Sequence, residues 1–202
     1  MAQKLVLPFK RNIVSAGFTH PQYLRYYGYN HYGWDMGCDE DGYNVLALGE
    51  GVVVRCAYDR NVGNVLLIRY NNVQLNDGKV RDIICRMYHL KNYKVKQGMF
   101  VHKSDVIAEY GNTGSGGWGI HLHIEFDTDT QYPCYVPSVK GSNIIKSGNA
   151  KTIVSPSNVF NLDTDQTIRN CPANNGKIWS TADELNLPKI NKNICPTCGR
   201  PL

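Results

Sequence analysis

The chain has 202 residues, enough to bury one core and a small appendage but not two full domains. Its 42% hydrophobic and 19% charged residues, with 13 tyrosines, exclude a disordered or collagen-like chain and favour sheets over long helices. The net charge of +5 is too small and too scattered to indicate a nucleic-acid-binding surface.

The N-terminal segment predicts no export signal. Its apolar run ends at Pro8 and is far shorter than the core of a secretory signal peptide. No apolar stretch elsewhere approaches the roughly 20 residues of a membrane-spanning helix. We therefore expect synthesis in the cytoplasm without a signal peptide and without membrane insertion.

The next feature along the chain is a loop that carries a histidine and an aspartate four residues apart. In His31-Tyr32-Gly33-Trp34-Asp35 the glycine allows both side chains to turn toward one ion. Tyrosines crowd the approach to this loop, and most of them are expected to pack; they are residues 23, 26, 27, 29 and 32. The spacing alone is a weak signal.

Apolar residues that alternate or run together between glycine or asparagine turns predict a series of strands. Asp77-Gly78 is the best hairpin turn, because both residues tolerate positive φ. The pattern predicts a mainly β domain with an antiparallel sheet. The predicted strands are 51–57, 64–70, 83–89, 106–110 and 121–126.

The last of these strands carries most of the chemistry. On a strand, successive side chains alternate between faces, so His121, His123 and Glu125 point one way while Leu122, Ile124 and Phe126 form an apolar face. Two histidines and an acid on one face, backed by core residues, indicate a functional site.

Beyond Ser155-Pro156-Ser157 the composition shifts toward Asn, Asp and Lys, and we place a boundary near residue 165. Residues 1–165 are then the main domain and 166–202 a short, mostly irregular tail, with a brief helix predicted from Ser180. The tail contains Cys195-Pro196-Thr197-Cys198, to which Cys171 could add a third thiolate in a structural metal site. A redox pair, a site completed by another chain, or no function are the alternatives.

The cysteines of the whole chain suggest no disulfide framework, because their total of seven is odd and no export signal accompanies them. Cys56 and Cys85 are expected in the core. Cys38 is expected to be a small buried side chain rather than a ligand.

Imidazole and carboxylate groups together suit zinc, and a catalytic zinc site has three protein ligands and one open position. His31, Asp35 and one histidine of the pair His121 and His123 meet that count. The strand pattern alone does not choose between the two. A metal in this setting activates water and polarises a carbonyl group, which predicts a hydrolase.

These motifs resemble the lysostaphin/LytM-type zinc metallo-endopeptidases of peptidoglycan, over roughly residues 13–160. The matching elements are His31-x-x-x-Asp35, then His89 in Met87-Tyr88-His89-Leu90, then His121-x-His123, and residues 43–53 and 107–114 are similar as well. The chain departs from the family at Ile120, Ser104 and Ala108, and its 114–119 loop is one residue longer.

The resemblance implies a lysostaphin-type fold, similar to a duplicated hybrid motif, and a zinc ion held by His31, Asp35 and His123. It implies catalytic roles for His89 and His121, and a tyrosine near His31 that stabilises the oxyanion. The expected substrate is a stem or cross-bridge peptide of peptidoglycan. Tyr32 and Trp118 are candidates for the substrate groove, although an anchoring role for Trp118 is equally open.

Other functions and settings remain open in the sequence. A non-haem iron oxygenase also uses two histidines and a carboxylate, but with a shorter first spacing. A catalytically silent wall-binding module would lack some ligands, whereas all are present here. A wall-cutting enzyme without an export signal fits a bacteriolytic phage endolysin released by a holin, or a virion component that opens the wall.

Overall fold

The computed structural model describes residues 1–38, 42–116, 119–137, 139–160 and 167–170. Trp118, the predicted boundary near residue 165, Cys171, the helix predicted from Ser180, and the pair Cys195 and Cys198 lie outside these ranges. The division into a main domain and a tail therefore stays a prediction.

Strands dominate the described residues. They are β1 (Arg11–Ala16), β2 (Trp34–Gly37), β3 (Asn44–Leu46), β4 (Gly51–Asp59), β5 (Gly63–Gln74), β6 (Val80–Tyr93), β7 (Phe100–Val101), β8 (Val106–Tyr110), β9 (Leu122–Asp127), β10 (Tyr135–Val136), β11 (Lys146–Ser147), β12 (Ile153–Val154) and β13 (Thr167–Asn170). Two short helices accompany them in the same ranges, α1 (Pro21–Tyr27) and α2 (Pro156–Val159). No described helix has the length and apolar character needed to cross a membrane.

Most strands join one sheet, in the order β13-β1-β2-β9-β6-β5-β4-β7. β12 adds to β9, and β8 pairs with both β3 and β6. Every pairing in this sheet is antiparallel except that of β1 with β13, which confirms the predicted fold class.

The hairpin of β5 and β6 is longer than its apolar runs predicted. Pairing continues past the apolar residues to Gln74 opposite Val80, because backbone hydrogen bonds extend a ladder regardless of side-chain polarity. Gly78 takes a φ of +85° in the connecting turn, and the N–H of Leu75 donates to the carbonyl of Lys79. The hairpin predicted at Asp77-Gly78 is confirmed.

The central strands β6 and β9 are buried on both faces. Leu122, Ile124 and Phe126 belong to the larger apolar cluster, as their alternation predicted. Ile84 and Tyr88 belong to a second cluster with Val136 and Ile145, which cover the other face. The strand that carries His123 therefore lies inside the sheet, hydrogen-bonded to β2 along one edge and to β6 along the other.

Asp59, at the end of β4, links the sheet by hydrogen bonds to the segment that contains Ile144 and Ile145. Its Oδ1 accepts hydrogen bonds from the backbone N–H groups of Asn61 and Val62, at 2.8 and 3.4 Å. Its Oδ2 accepts from those of Ile144 and Ile145, at 3.0 and 2.9 Å. Burial alone would raise the pKa of this carboxyl, but the four donors lower it below its ordinary value.

We expect Asp59→Asn to lower the free energy of unfolding by about 1–3 kcal/mol, since an amide has a single acceptor oxygen and turns N–H groups toward other donors. A carboxyl with a lowered pKa stabilises the fold above its unfolded pKa, and this stabilisation is lost as the pH falls. Urea unfolding should therefore show a difference from wild type at pH 7 that shrinks below about pH 4. A difference independent of pH would contradict this role.

Candidate metal centre

The pairing of β2 with β9 places two predicted ligands opposite each other. Asp35 lies directly across from His123 in the antiparallel register. Cross-strand neighbours of this kind have Cβ atoms about 5 Å apart and share a face. His31 reaches the same point from the loop before β2, where its Nδ1 donates to the carbonyl of Gly17 at 2.9 Å.

His31, Asp35 and His123 form a group that could hold a metal ion. His31 Nε2 lies 3.1 Å from Asp35 Oδ1 and 3.0 Å from His123 Nδ1, and the latter two atoms are 3.0 Å apart. Tetrahedral zinc with bonds near 2.0–2.1 Å separates its ligand atoms by about 3.3 Å. The triangle is therefore close to the size that such an ion requires.

The hydrogen bonds of the two histidines aim a lone pair at this triangle. A carbonyl or carboxylate oxygen can only accept, so His31 donates from Nδ1 to Gly17, and His123 donates from Nε2 to Glu125 Oε2 at 3.4 Å. The opposite nitrogen of each ring faces the Asp35 carboxylate. Three electron-pair donors this close together repel one another unless a cation lies among them. A proton or a metal ion can take that place, so the residues fit a metal.

His89 lies at a structural irregularity beside this triangle. Between Met87 and Leu90, β6 contains one more residue than β5 opposite, and His89 has a positive φ of 61°. At this point β6 also changes its partner from β9 to β8. Bulges and unusual φ values often redirect side chains at functional sites.

His89 and His121 lie close together, with ring centroids 4.7 Å apart. His89 donates from Nδ1 to the carbonyl of Thr113, and His121 from Nδ1 to the carbonyl of Gly119, each at 2.9 Å. His121 Nε2 lies 3.6 Å from Asp35 Oδ1. Both rings therefore keep Nε2 available for proton transfer next to the triangle.

Charge and burial act strongly on these groups. Burial alone would raise the pKa of Asp35, but His31, His121 and His123 hold it well below its usual range. Burial would lower the pKa of His123, whereas hydrogen bonds with Asp35 and Glu125 raise it to about 9. Burial and the neighbouring His121 lower the pKa of His89 to about 4.

Aromatic rings and a buried ion pair surround the ligands. Tyr23 stacks on His31, with centroids 4.4 Å apart, and Tyr88 stacks on His123 at 5.2 Å. Arg86, fully buried, donates to Glu125. The sequence offered Tyr23 only as one of five tyrosines and gave no role to Arg86, because neither ring stacking nor burial of a charge has a local pattern.

The other predicted residues divide as follows. Tyr32 packs edge-on against Phe18, with centroids 6.1 Å apart, and Asn30 donates to its hydroxyl. Its role in a substrate groove stays a prediction, as does that of Trp118, outside the described residues. Cys85 is buried in the core as predicted. Cys56 and Cys38, which were also expected to be buried, are only partly buried and pack against the edge of the core.

The comparisons with known proteins agree with this geometry. Residues 29–133, about half of the chain, match peptidase family M23. The chain therefore belongs to peptidase family M23, which confirms the resemblance drawn from its motifs.

Individual relatives share between 21% and 34% sequence identity with this chain. The chain is 34% identical over 85 residues to the peptidoglycan DD-endopeptidase ShyC of Vibrio cholerae, covering 42% of this chain and 17% of the relative. The match thus spans about a sixth of that protein's length. LytU is similar with a TM-score of 0.50 and 24% identity, covering 71% of this chain and 81% of that one. Lysostaphin from Staphylococcus simulans has a TM-score of 0.50 and 21% identity, covering 77% and 52%. Both structures therefore share the fold of this chain.

Gly33, between His31 and Asp35, packs directly against His123. A Cβ atom at this position would lie 2.5 Å from the carbonyl oxygen of Ile124 and 2.7 Å from His123 Nε2. Neither neighbour can move away freely, since one is backbone and the other is the ligand ring. The glycine is therefore required for the close approach of the two ligand segments.

We expect Gly33→Ala to lower the free energy of unfolding by about 1–3 kcal/mol through overpacking, and to weaken zinc binding because the His123 ring must shift. Thermal melting and zinc titration measure the two effects. Gly37→Ala is the matched control on β2, since its Cβ would meet nothing closer than Tyr110 Oη at 3.9 Å. Equal behaviour of the two variants would disprove the close-packing role of Gly33.

Proposed function

We propose that this protein is a zinc-dependent endopeptidase that hydrolyses peptide cross-links in bacterial peptidoglycan. One observation carries most of the weight. His31 Nε2, Asp35 Oδ1 and His123 Nδ1 converge within 3.1 Å of one another in a chain that belongs to a peptidase family. A proteolytic site with two imidazoles and a carboxylate is best explained by a hydrolytic metal.

The donor set favours zinc as that metal. Two imidazole nitrogens and one carboxylate oxygen are the ligands of many catalytic zinc sites, in which a fourth position stays open. When bound, the ion supplies an activated water molecule and polarises the scissile carbonyl. Iron would accept the same ligands, but membership of a peptidase family favours hydrolysis over oxygenation.

His89 and His121 are placed to handle protons and charge during hydrolysis. Both donate from Nδ1 to a backbone carbonyl, so Nε2 of each neutral ring can accept a proton and later return it. Once protonated at Nε2, either ring can donate a hydrogen bond to a developing oxyanion and then to the leaving amine. The carbonyls of Thr113 and Gly119 hold the rings in this orientation.

Substrate access fits the same arrangement. His31 is almost completely buried, with 3% of its side chain exposed, whereas Asp35 and His121 each expose 16% and His123 exposes 12%. The triangle is therefore closed on the His31 side and reachable beside His121. A peptide carbonyl could approach from that side.

The substrate class is inferred from relatives. ShyC is described as a peptidoglycan DD-endopeptidase, and lysostaphin as an antimicrobial peptidase. We extend to this chain the cleavage of a stem or cross-bridge peptide, either glycine-rich or between D-alanine and a diamino acid. Release by a phage holin, or action within a virion, stays a prediction from the sequence.

We expect purified protein to bind zinc and to release new amino groups from purified peptidoglycan. A chelator should abolish the release, and added zinc should restore it. His123→Ala should lose metal and activity together, while His89→Ala should keep the metal and lose about 100-fold or more of the rate, as expected for a proton-transfer residue. Amino-group labelling and metal analysis measure both quantities.

The matched control is His102→Ala, since His102 is exposed and its ring pairs with Glu50 rather than with a candidate ligand. It should retain both zinc and activity. Zinc bound without cleavage of several wall types would instead favour a catalytically silent wall-binding module. Full activity after chelation would refute the metal mechanism.

A further inference from the structure

A network of buried charged and aromatic side chains lies along the edge of the His123 ring that carries Nε2. It is built by strand register, since Arg86 lies directly opposite Glu125 and Tyr88 directly opposite His123 in the pairing of β6 with β9. Alternate residues of a strand share a face, so all four side chains point the same way. A ligand histidine is thus joined to a buried cation and a buried carboxylate.

The two oxygens of Glu125 have different partners. Oε1 accepts from Arg86 Nε at 2.5 Å and from Tyr88 Oη at 2.9 Å. Oε2 lies 3.4 Å from His123 Nε2. Glu125 is only 1% exposed, so water does not compete for these positions. One oxygen fixes the carboxylate in place, and the other faces the histidine.

Arg86 is fully engaged as well. Besides Glu125, it donates from Nη2 to Asp127 Oδ2 at 2.8 Å and from Nη1 to the carbonyl of Pro133 at 3.0 Å. A buried charge without a partner is strongly unfavourable. The Oε2 oxygen of the buried Glu125 carboxylate therefore needs a donor, and the Nε2–H of His123 is the donor that faces it.

We infer that Glu125 is a positioning residue of the metal centre, through which Arg86 and Tyr88 hold His123 with its proton on Nε2 and its Nδ1 lone pair directed at His31 and Asp35. The parallel ring of Tyr88, at an interplanar angle of 10°, limits rotation of the imidazole. Partners of this kind orient a ligand histidine and increase its basicity. The inference rests on the proposed function.

Glu125→Gln tests this role with little change in volume. Arg86 is a pure donor, so the amide oxygen of the glutamine must face Arg86 and Tyr88. The amide NH₂ then faces His123 Nε2, where a donor meets a donor. This contact favours the other tautomer, with the proton on Nδ1, and removes the lone pair from the metal position.

The experiment is a Co²⁺ titration of the full chain, followed by the visible d–d absorption of the bound ion. Any thiolate-to-cobalt charge-transfer band reports binding by cysteines separately. Titrations are run well below the melting temperature of each variant. We expect Glu125→Gln to weaken cobalt binding by about 10–100-fold and to alter the d–d spectrum.

Asp127→Asn is the matched control, because it removes the same charge from the other side of Arg86 without touching His123. It should lower the melting temperature about as much as Glu125→Gln, yet change cobalt affinity less than about threefold. Equal losses of affinity in both variants would show a general effect of a damaged ion pair and would overturn the inference.

The remaining outcomes separate this inference from the proposed function. If wild type binds no cobalt in a d–d-active site, both are wrong. If wild type binds cobalt and Glu125→Gln binds it equally well, only the positioning role is wrong.

Should Glu125→Gln not fold, Tyr88→Phe is the second variant, since it removes one donor to Glu125 and keeps the stacked ring. A several-fold loss of affinity is then expected, and an unchanged affinity would overturn the inference.

Discussion

The register between β2 and β9 is the constraint on which the site depends. It sets Asp35 opposite His123, and a shift of one residue would turn the whole ligand face into the apolar core. That shift is resisted from the other side, because Leu122, Ile124 and Phe126 are fully buried. The hydrophobic core therefore fixes the positions of the candidate ligands Asp35 and His123. The loop before β2 then has to place only His31 beside them.

The same strand, β9, connects the candidate metal centre to the charged interior. His121, the candidate proton-transfer group, lies just before the strand, and His123, Glu125 and Asp127, the anchor of Arg86, follow on its polar face. One alternating segment thus supplies a candidate ligand, a candidate proton-transfer group and their buried support. A small sheet can thus hold several polar groups at fixed distances, since they share one segment whose strand, β9, is paired along both edges with β2 and β6.

Much of this arrangement could be predicted from the sequence, because it follows from periodicity. The alternation of residues 121–126 gave the two faces of β9, and Asp77-Gly78 gave the hairpin. Other features have no local pattern. The extra residue that turns His89 toward His121, the stacking of Tyr23 on His31 and the burial of Arg86 all arise from tertiary contacts. The strand pattern alone also could not choose between His121 and His123 as the ligand. The group of side chains that could hold a metal ion contains His123 with His31 and Asp35, and the ligand assignment stays a prediction.

The most direct test of the metal centre is X-ray absorption at the zinc edge, comparing zinc-loaded wild type with His123→Ala. The account predicts nitrogen and oxygen scattering at about 2.0–2.2 Å with an imidazole signature, lost or strongly reduced in the variant. A spectrum explained entirely by sulfur at about 2.3 Å, and unchanged in His123→Ala, would place the zinc on cysteines and contradict the account.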